Sequence, residues 1–344
     1  MPRWMLYGAN GYTGELIARE AVRRGLRPLL AGRSAERVEP LARELGLEWR
    51  AFGLMDVDLS GVAVVLHCAG PFIHTSGPMA EACLAAGVHY LDITGEIEVF
   101  ESLFARDAEA KRRGVALIPG VGFDVVPTDC LAAQLHARLP DARELWLAFD
   151  SGRSGISRGT LKTMLEGLGD GGAIRVDGAI VRVPMLYDVR EIPFAGGART
   201  AMTIPWGDVA TAYRTTGIPN IRVYHATSPR QIARLRRMRP LLPLARFGMV
   251  KRALQRFASK HASPTASERA AARVELWGRV ANERGEEVTM TMSTPDGYDF
   301  TVASALAAIE RLLADEVRPG AWTPSRYFDS DFAEHTVCSM TPSS

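Results

Sequence analysis

The sequence MLYGANGYTGELIARE, residues 5–20, places three glycines three positions apart, at Gly8, Gly11 and Gly14. A short apolar run precedes the first glycine, and the residues after the last one have the apolar spacing of a helix. The stretch therefore predicts a strand, a tight turn and a helix in direct succession. Where such a turn follows the first strand of a parallel sheet, backbone N–H groups and the helix dipole meet at one point and bind a phosphate.

The first third of the chain repeats this order of strand and helix. Strands are predicted at residues 4–7, 28–31, 48–52, 62–68, 88–93 and 115–119. Helices are predicted near residues 14–24, 35–45, 76–86 and 98–113. Each predicted helix is followed by a glycine, the residue that most easily adopts the positive φ at a helix end, at Gly25, Gly46, Gly87 and Gly114. The pattern predicts an α/β domain with a parallel, doubly wound sheet over residues 1–130.

After about residue 130, strands follow one another with turn signals between them. Asp177-Gly178 separates two short apolar runs, which is a strong signal for a two-residue hairpin. A second pair of runs flanks a turn that ends in Gly285, and a helix is predicted near residues 302–315. Residues 131–344 are therefore predicted to form a second, α+β domain with a mixed, mainly antiparallel sheet.

Composition narrows the class of protein. The 344 residues are 47% hydrophobic and 23% charged, as in an ordinary globular chain, and the net charge of +2 gives no general reason to expect nucleic acid as a partner. The four cysteines and seven histidines have no zinc-binding or disulfide spacing, so no metal site is expected. Apolar residues begin at Trp4 without a basic leader, and no uncharged run approaches the roughly 20 residues of a membrane span. A cytoplasmic protein is expected.

The end of the second predicted strand indicates which dinucleotide is bound. An acidic residue there would accept from the ribose 2′-OH of NAD, but the chain has Arg33 and Ser34, which suit a 2′-phosphate. These residues predict NADP(H), although Ser34 can also cap the following helix. After the fourth strand, small residues let the backbone pass close to a dinucleotide, at Ala69, Gly70 and Pro71.

The sequence bears on two known kinds of catalytic site, that of the short-chain dehydrogenases and that of the serine hydrolases. None of the eight tyrosines has a lysine four residues later, which excludes the Tyr-x-x-x-Lys pair of the short-chain dehydrogenases. Residues 155–159, Gly-Ile-Ser-Arg-Gly, match the G-x-S-x-G elbow of serine hydrolases. However, no apolar strand runs directly into this motif, so Ser157 is predicted to form a loop and cap a helix.

Acidic residues follow the fifth and sixth predicted strands, at the edge where parallel sheets bind their ligands. Asp92, Thr94 and Glu96 come after the fifth strand, and Asp124 and Asp129 after the sixth. Each carboxylate suits a ribose contact, a substrate amine or proton transfer. Glu96 and Asp124 are the candidate catalytic residues. Asp129 can instead provide negative charge at the N-terminus of the following helix, and Asp92 can instead make a contact within a turn.

A basic, amphipathic stretch extends over residues 230–261. It contains eight arginines and two lysines but no acidic residue, and apolar residues are interleaved with them. Such a segment suits a membrane surface, an anionic substrate carrier or an acidic protein. It equally suits a pair of helices whose apolar face is buried and whose charged face is solvated.

Taken together, these motifs resemble the saccharopine dehydrogenase-like oxidoreductases. The resemblance rests on GANGYTGELIARE, AGRSAERVEPLARELG, GPMAEACLAAGVHYLDITGE, GFDVVPTDCLA and TPDGYDFTVASALAAIERLLA. Residues 122–129, Gly-Phe-Asp-Val-Val-Pro-Thr-Asp, are similar to the Gly-Phe-Asp-Ser-Ile-Pro-Ser-Asp loop of the trans-acting enoyl reductase branch. They differ from the Gly-Leu-Asp-Pro-Gly type of loop in the saccharopine reductases of the lysine pathway.

The resemblance implies an NADP-binding Rossmann domain, a second domain for substrate binding and homodimer formation, and a late helix that packs back on the first domain. The pyrophosphate is then expected at Gly8, Asn10, Gly11, Tyr12, Thr13 and Gly14. The implied function is an NADPH-dependent reductase of an activated C=C bond in a carrier- or lipid-linked chain. Two alternatives stay open: an imine reductase that acts on a C=N bond, and a protein that senses NADP(H) without turnover.

Overall fold

The computed structural model describes residues 3–152, 155–258 and 260–338. The chain divides into two compact units, one formed by Met1–Val126 with Tyr298–Ser344 and the other by Pro127–Gly297. The division predicted from sequence lies four residues later, at residue 130, and carries the second domain to residue 344. In the structure, the C-terminal segment belongs to the first unit, because its helix and its short strand pack there.

The first unit begins with alternating strands and helices. The strands are β1 Trp4–Tyr7, β2 Leu29–Gly32, β3 Trp49–Ala51, β4 Val64–His67, β5 His89–Asp92 and β6 Ala116–Ile118. The helices are α1 Tyr12–Arg23, α2 Ala35–Leu45, α3 Phe72–Ala86, α4 Ile97–Phe104 and α5 Asp107–Arg113. Strands β1, β2 and β4 are buried along their whole length, as expected of strands in a parallel sheet with helices on both faces.

The helix ends follow the glycine pattern. Gly46, Gly87 and Gly114 are the C-cap residues of α2, α3 and α5, all in the left-handed region, with φ of 62°, 70° and 69°. Gly25, with φ of 78°, directly follows the C-cap of α1. All four predicted stops are confirmed, because a helix end that needs a positive φ is specified locally by glycine.

The second unit contains the remaining sheet. Its strands are β7 Glu144–Asp150, β8 Gly172–Val176, β9 Ala179–Val183, β10 Val189–Phe194, β11 Gly197–Thr203, β12 Asn220–Ala226, β13 Arg273–Ala281 and β14 Glu287–Pro295. Its helices are α6 Val126–Arg138, α7 Arg158–Glu166, α8 Asp208–Thr216, α9 Pro229–Met238, α10 Gly248–Ala258 and α11 Ala266–Ala271, with 3-10 turns at Leu168–Asp170 and Arg239–Arg246.

The strand order in this sheet is β10-β11-β12-β7-β13-β14, with β8 pairing with β12 and with β9. Strands β12 and β7 run parallel, and the other pairs are antiparallel. The predicted mixed, mainly antiparallel sheet is therefore confirmed. Asp177 and Gly178 form the turn between β8 and β9 with φ of 46° and 80°, the positive values that a two-residue hairpin turn requires.

The C-terminal segment completes the first unit with α12 Gly297–Ala314, β15 Gly320–Ala321, α13 Pro324–Phe328 and α14 Phe332–Cys338. Within the described residues the parallel sheet has seven strands in the order β15-β6-β5-β4-β1-β2-β3. The order reverses between β4 and β1, the switch point at which doubly wound sheets bind ligands. The predicted Rossmann-type sheet is confirmed, and β15 adds a strand that was not predicted.

Helix α12 is tied to the loop that follows β6. Thr301 Oγ1 accepts a hydrogen bond from Phe123 N at 3.0 Å, and Ser304 Oγ donates to Val121 O at 2.8 Å. At its N-terminus, the ring of Tyr298 packs edge-on against Tyr12, with 5.0 Å between the ring centroids. The helix predicted near residues 302–315 thus supports both the glycine turn and the segment that carries Asp124.

Candidate functional site

The glycine turn joins β1 to α1 with very little free space. Gly8 has φ of 87°, and a Cβ on it would lie 2.8 Å from Ala69 N, in the loop after β4. A Cβ on Gly14 would lie 2.3 Å from Gly8 O. Gly8 therefore lets two loops of the sheet edge approach each other, and Gly14 lets the first turn of α1 lie against the strand end.

The N-terminus of α1 has the form of an anion site. Gly11 is its N-cap and provides no side-chain cap, so the first-turn N–H groups have no hydroxyl or carboxylate acceptor at this position. Thr13 lies in that first turn, and the Tyr12 ring is held by Tyr298. Asn10 is exposed, and its Oδ1 lies 2.9 Å from where a Cβ on Gly32 would stand. The structure brings the predicted pyrophosphate residues together in one turn.

Arg33 and Ser34 follow β2, beside this turn. Arg33 is exposed and makes no ion pair with any carboxylate of the described chain. Ser34 is the N-cap of α2, but its side chain makes no capping hydrogen bond. Burial raises the pKa of Tyr7, at the end of β1, and the positive charge of Arg33 partly opposes that rise. A guanidinium and a free hydroxyl thus face the same sheet edge as the glycine turn.

Arg37 is a candidate that the sequence analysis missed. It lies in the first turn of α2, is exposed, and within the described residues has no acidic partner. The signal that could have identified it is a second arginine in the first turn of the predicted helix that follows Arg33 and Ser34.

Ala69, Gly70 and Pro71 form the loop between β4 and α3, and Glu96 caps this helix. Glu96 Oε1 accepts from Phe72 N at 2.8 Å, and Oε2 accepts from Ile73 N at 2.7 Å. A carboxylate at a helix N-terminus satisfies backbone donors and interacts favourably with the helix dipole. Both oxygens of Glu96 are therefore engaged in holding the loop beside Gly8.

Asp124 lies after β6, and its environment differs from that of Glu96. The carboxyl group packs against Gly95, where a Cβ would fall 2.8 Å from Asp124 Oδ2. Its side chain is half-buried, and no described residue hydrogen-bonds to it. Burial, with a further contribution from the negative charge of Glu96, raises the pKa of Asp124 to about 7. Of the two candidate catalytic carboxylates, Asp124 is the one with free oxygens and a proton to exchange near neutral pH.

Asp92 has a structural position at the same sheet edge. Its buried carboxylate accepts from Thr94 N at 3.0 Å, Gly120 N at 2.8 Å and the Tyr90 hydroxyl at 2.7 Å. Burial raises the pKa of Asp92 to about 6, and the three hydrogen bonds oppose that rise. Asp92 thereby joins the ends of β5 and β6.

We expect Asp92→Ala to lower the free energy of unfolding by about 3 kcal/mol, because it leaves three buried donors without their acceptor. Urea unfolding at pH 7 measures this loss. The exposed carboxylate Asp56 provides the matched control, and Asp56→Ala should change the stability by less than about 0.5 kcal/mol. An equal effect of the two variants would contradict the structural role of Asp92.

Two other predicted polar residues lie in the second unit. Asp129 is buried on α6, where it accepts from the Thr215 hydroxyl at 2.5 Å. Ser157 is the N-cap of α7, and its Oγ accepts from Thr160 N at 3.2 Å. Strand β7 ends at Asp150, seven residues before Ser157. The structure therefore supports the helix-cap interpretation of Ser157 over a nucleophile elbow.

Comparisons with known proteins begin with the first unit. Residues 4–118 match the family described as the saccharopine dehydrogenase NADP binding domain. A saccharopine dehydrogenase-like oxidoreductase of Rattus norvegicus is 30% identical over 223 residues, which cover 56% of this chain and 50% of the rat protein. A trans-acting enoyl reductase of Mycobacterium bovis is 33% identical over 152 residues, covering 39% of this chain and 35% of that protein. The chain spans half or less of the length of these relatives.

The solved structures extend the likeness to the whole fold. A saccharopine dehydrogenase (L-Glu forming) from Saccharomyces cerevisiae superposes with a TM-score of 0.62 and covers 98% of this chain and 96% of its own. The two sequences are 11% identical, so this match establishes the arrangement of strands and helices.

Proposed function

We propose that this chain, whose residues 4–118 are a saccharopine dehydrogenase NADP-binding domain, is an NADP(H)-dependent oxidoreductase that reduces an activated C=C bond. One observation carries the proposal. The residues that match this NADP-binding domain contain a glycine turn, and the helix after that turn has no side-chain cap at its N-terminus. The enoyl class of acceptor rests on the similarity to a trans-acting enoyl reductase and on the loop over residues 122–129. We propose a carrier- or lipid-linked enoyl thioester as the substrate.

The residues of the glycine turn fit a dinucleotide. A Cβ on Gly8 or Gly14 would collide with neighbouring backbone, so this close turn requires both glycines, and the N-terminus of α1 has no side-chain cap that would compete with a pyrophosphate. Arg33 and Ser34 suit the 2′-phosphate, and Arg37 adds a second positive charge. When bound, NADPH supplies a hydride to the substrate.

Asp124 supplies the proton in this proposal. Reduction of an enoyl thioester adds a hydride to the β carbon and a proton to the α carbon. With its pKa raised to about 7, the Asp124 carboxyl group holds a proton in a large fraction of molecules at neutral pH. Burial is the main cause of this raised pKa, the negative charge of Glu96 adds to it, and Glu96 itself stays bound to the N-terminus of α3.

We expect Arg33→Asp to weaken NADPH binding about 100-fold, since it removes a charge-assisted contact to the 2′-phosphate and adds a like charge. NADH binding should change by less than about threefold, because that ligand has no 2′-phosphate. Fluorescence titration with both nucleotides measures the two affinities. Arg112→Asp, an exposed arginine on α5, is the matched control and should leave both unchanged. Tighter binding of NADH than NADPH by the wild-type protein would contradict the cofactor assignment.

The acceptor is tested by following NADPH oxidation with two substrate panels. One panel contains enoyl thioesters of increasing chain length, and the other pairs 2-oxo acids with amines. The proposal expects turnover with the first panel. Turnover with the second panel alone would identify an imine reductase. Tight NADPH binding without turnover in either panel would identify an NADP(H) sensor.

A further inference from the structure

Residues 229–258 and 260–261 carry a basic surface in the second unit. The surface consists of α9, the 3-10 turn Arg239–Arg246, α10 and the residues up to His261. It has eight arginines, two lysines and no acidic residue. Ser259 and the side chains of Leu241, Pro243, Arg246 and Lys251 lie outside the described residues.

This basic surface is anchored to the unit. Gln255 Nε2 donates to Lys162 O, on α7, at 3.0 Å, and His261 Nε2 lies 2.9 Å from Ile156 O. On the inner side Ile232 and Ala258 are buried, with 4% and 0% of their surface exposed. The segment therefore has a packed inner face and a defined outer face.

The outer face includes large apolar side chains. Phe247, Met249 and Phe257 are 62%, 78% and 70% exposed. Met238, Leu244 and Val250 on the same surface are also exposed. Six of the thirteen large apolar side chains that are exposed in the described chain thus belong to this one segment, which indicates an interaction surface. The helical pair predicted as an alternative from the sequence would bury its apolar face, and only part of that face is buried here.

The second feature of this surface is the charge of its arginines. Seven of them, from Arg230 to Arg256, are exposed, and no carboxylate among the described residues pairs with any of the seven. Some exposed arginines elsewhere do pair with acids, as Arg19 does with Glu15 and Glu44. The basic surface thus combines unneutralised positive charge with apolar side chains.

We propose that the basic surface binds peripherally to an anionic phospholipid bilayer. The guanidinium groups contact lipid phosphates, and Phe247, Met249 and Phe257 enter the interface between head groups and acyl chains. A bilayer accepts apolar side chains wherever they project and offers phosphates in any register, whereas a protein partner needs a matched arrangement of pockets and acids. No helix in the described chain has the length and apolar character to cross a bilayer, so the contact is at the surface. The proposal is independent of the proposed reductase activity.

Co-sedimentation of the full chain with vesicles tests the proposal. Binding is expected to vesicles that contain phosphatidylglycerol, to weaken as salt is added, and to be absent with phosphatidylcholine alone. Arg236→Glu/Arg237→Glu should weaken binding at least about 30-fold, since each basic side chain near an anionic surface contributes about a factor of five. Arg112→Glu/Arg113→Glu makes the same change of net charge on α5 and should leave binding unchanged.

A second variant tests the apolar contribution. Phe247→Ser/Phe257→Ser retains every charge and should weaken vesicle binding by at least about tenfold, with a larger residual salt dependence. Unfolding curves and NADPH titrations of these variants should match the wild type, which separates failure of this proposal from failure of the proposed function. Equal binding to neutral vesicles, equal loss in the α5 control, or binding to polyuridylate or polyglutamate without binding to vesicles would overturn the proposal.

Discussion

Asp124→Asn is expected to lower kcat for enoyl reduction about a thousandfold while changing NADPH affinity less than about threefold. The amide has nearly the same volume but cannot release a proton to the α carbon. Asp124 makes no hydrogen bond to a described residue, so the change removes no hydrogen bond, and the amide keeps the packing against Gly95. Single-turnover oxidation of NADPH in the presence of substrate measures the chemical step, and Glu81→Gln, an exposed carboxylate on α3, is the control.

The pH profile separates proton transfer from a binding role. Because the pKa of Asp124 is raised to about 7, wild-type kcat should be constant below pH 6 and fall about tenfold per unit above pH 8. The residual activity of Asp124→Asn should lack this decline. A variant with the same decline as the wild type would show that another group supplies the proton.

The raised pKa of Asp124 also makes the stability of the fold depend on pH. A carboxyl group whose pKa is higher in the folded state contributes stability that is complete below its unfolded value of 3.8 and is lost as the pH rises through about 7. At pH 8 the wild type therefore carries an unfavourable buried charge. Asp124→Asn should be more stable than the wild type by roughly 2 kcal/mol at pH 8, after allowance for partial exposure, and by less than half of that at pH 5. Urea unfolding at the two pH values measures this difference.

Gly14→Ala is expected to weaken NADPH binding about a thousandfold and to lower the free energy of unfolding by about 2 kcal/mol. The added Cβ would lie 2.3 Å from Gly8 O, so the backbone of the turn has to move. This movement displaces the N-terminus of α1 from the pyrophosphate and removes at least two charge-assisted hydrogen bonds. Titration calorimetry with NADPH and urea unfolding measure the two effects.

Gly77→Ala provides the matched control for this substitution. Gly77 lies within α3 in the same unit, and a Cβ there would meet no atom within 4 Å. The alanine should leave NADPH affinity unchanged and stability equal or slightly higher, since glycine in a helix interior is unfavourable. Normal NADPH binding by Gly14→Ala would mean that the turn is not the pyrophosphate site.

Local and periodic signals determined much of the fold from the sequence alone. The strands of the parallel sheet, the four glycine helix stops and the Asp177-Gly178 hairpin each depend on a few neighbouring residues, and the structure confirms them. Strand β15 was not predicted, because two residues carry no periodicity and become a strand only by pairing with β6, about 200 residues earlier. The return of residues 298–338 to the first unit likewise depends on packing.

In the candidate site, too, some features depend on neighbouring residues in the sequence and others on contacts between residues far apart in it. The sequence by itself determined the glycine turn, the basic end of β2 and the two acidic clusters, since each is a short motif. Only the tertiary structure decided what each carboxylate does, because the partners of Glu96 lie 23 and 24 residues away and a partner of Asp92 lies 28 residues away. It likewise decided which apolar side chains of the basic surface face outward. Burial and hydrogen-bond partners are properties of the packed chain. The type and spacing of a residue can therefore identify a candidate catalytic group, but only packing decides whether its oxygens are free and whether its pKa is raised.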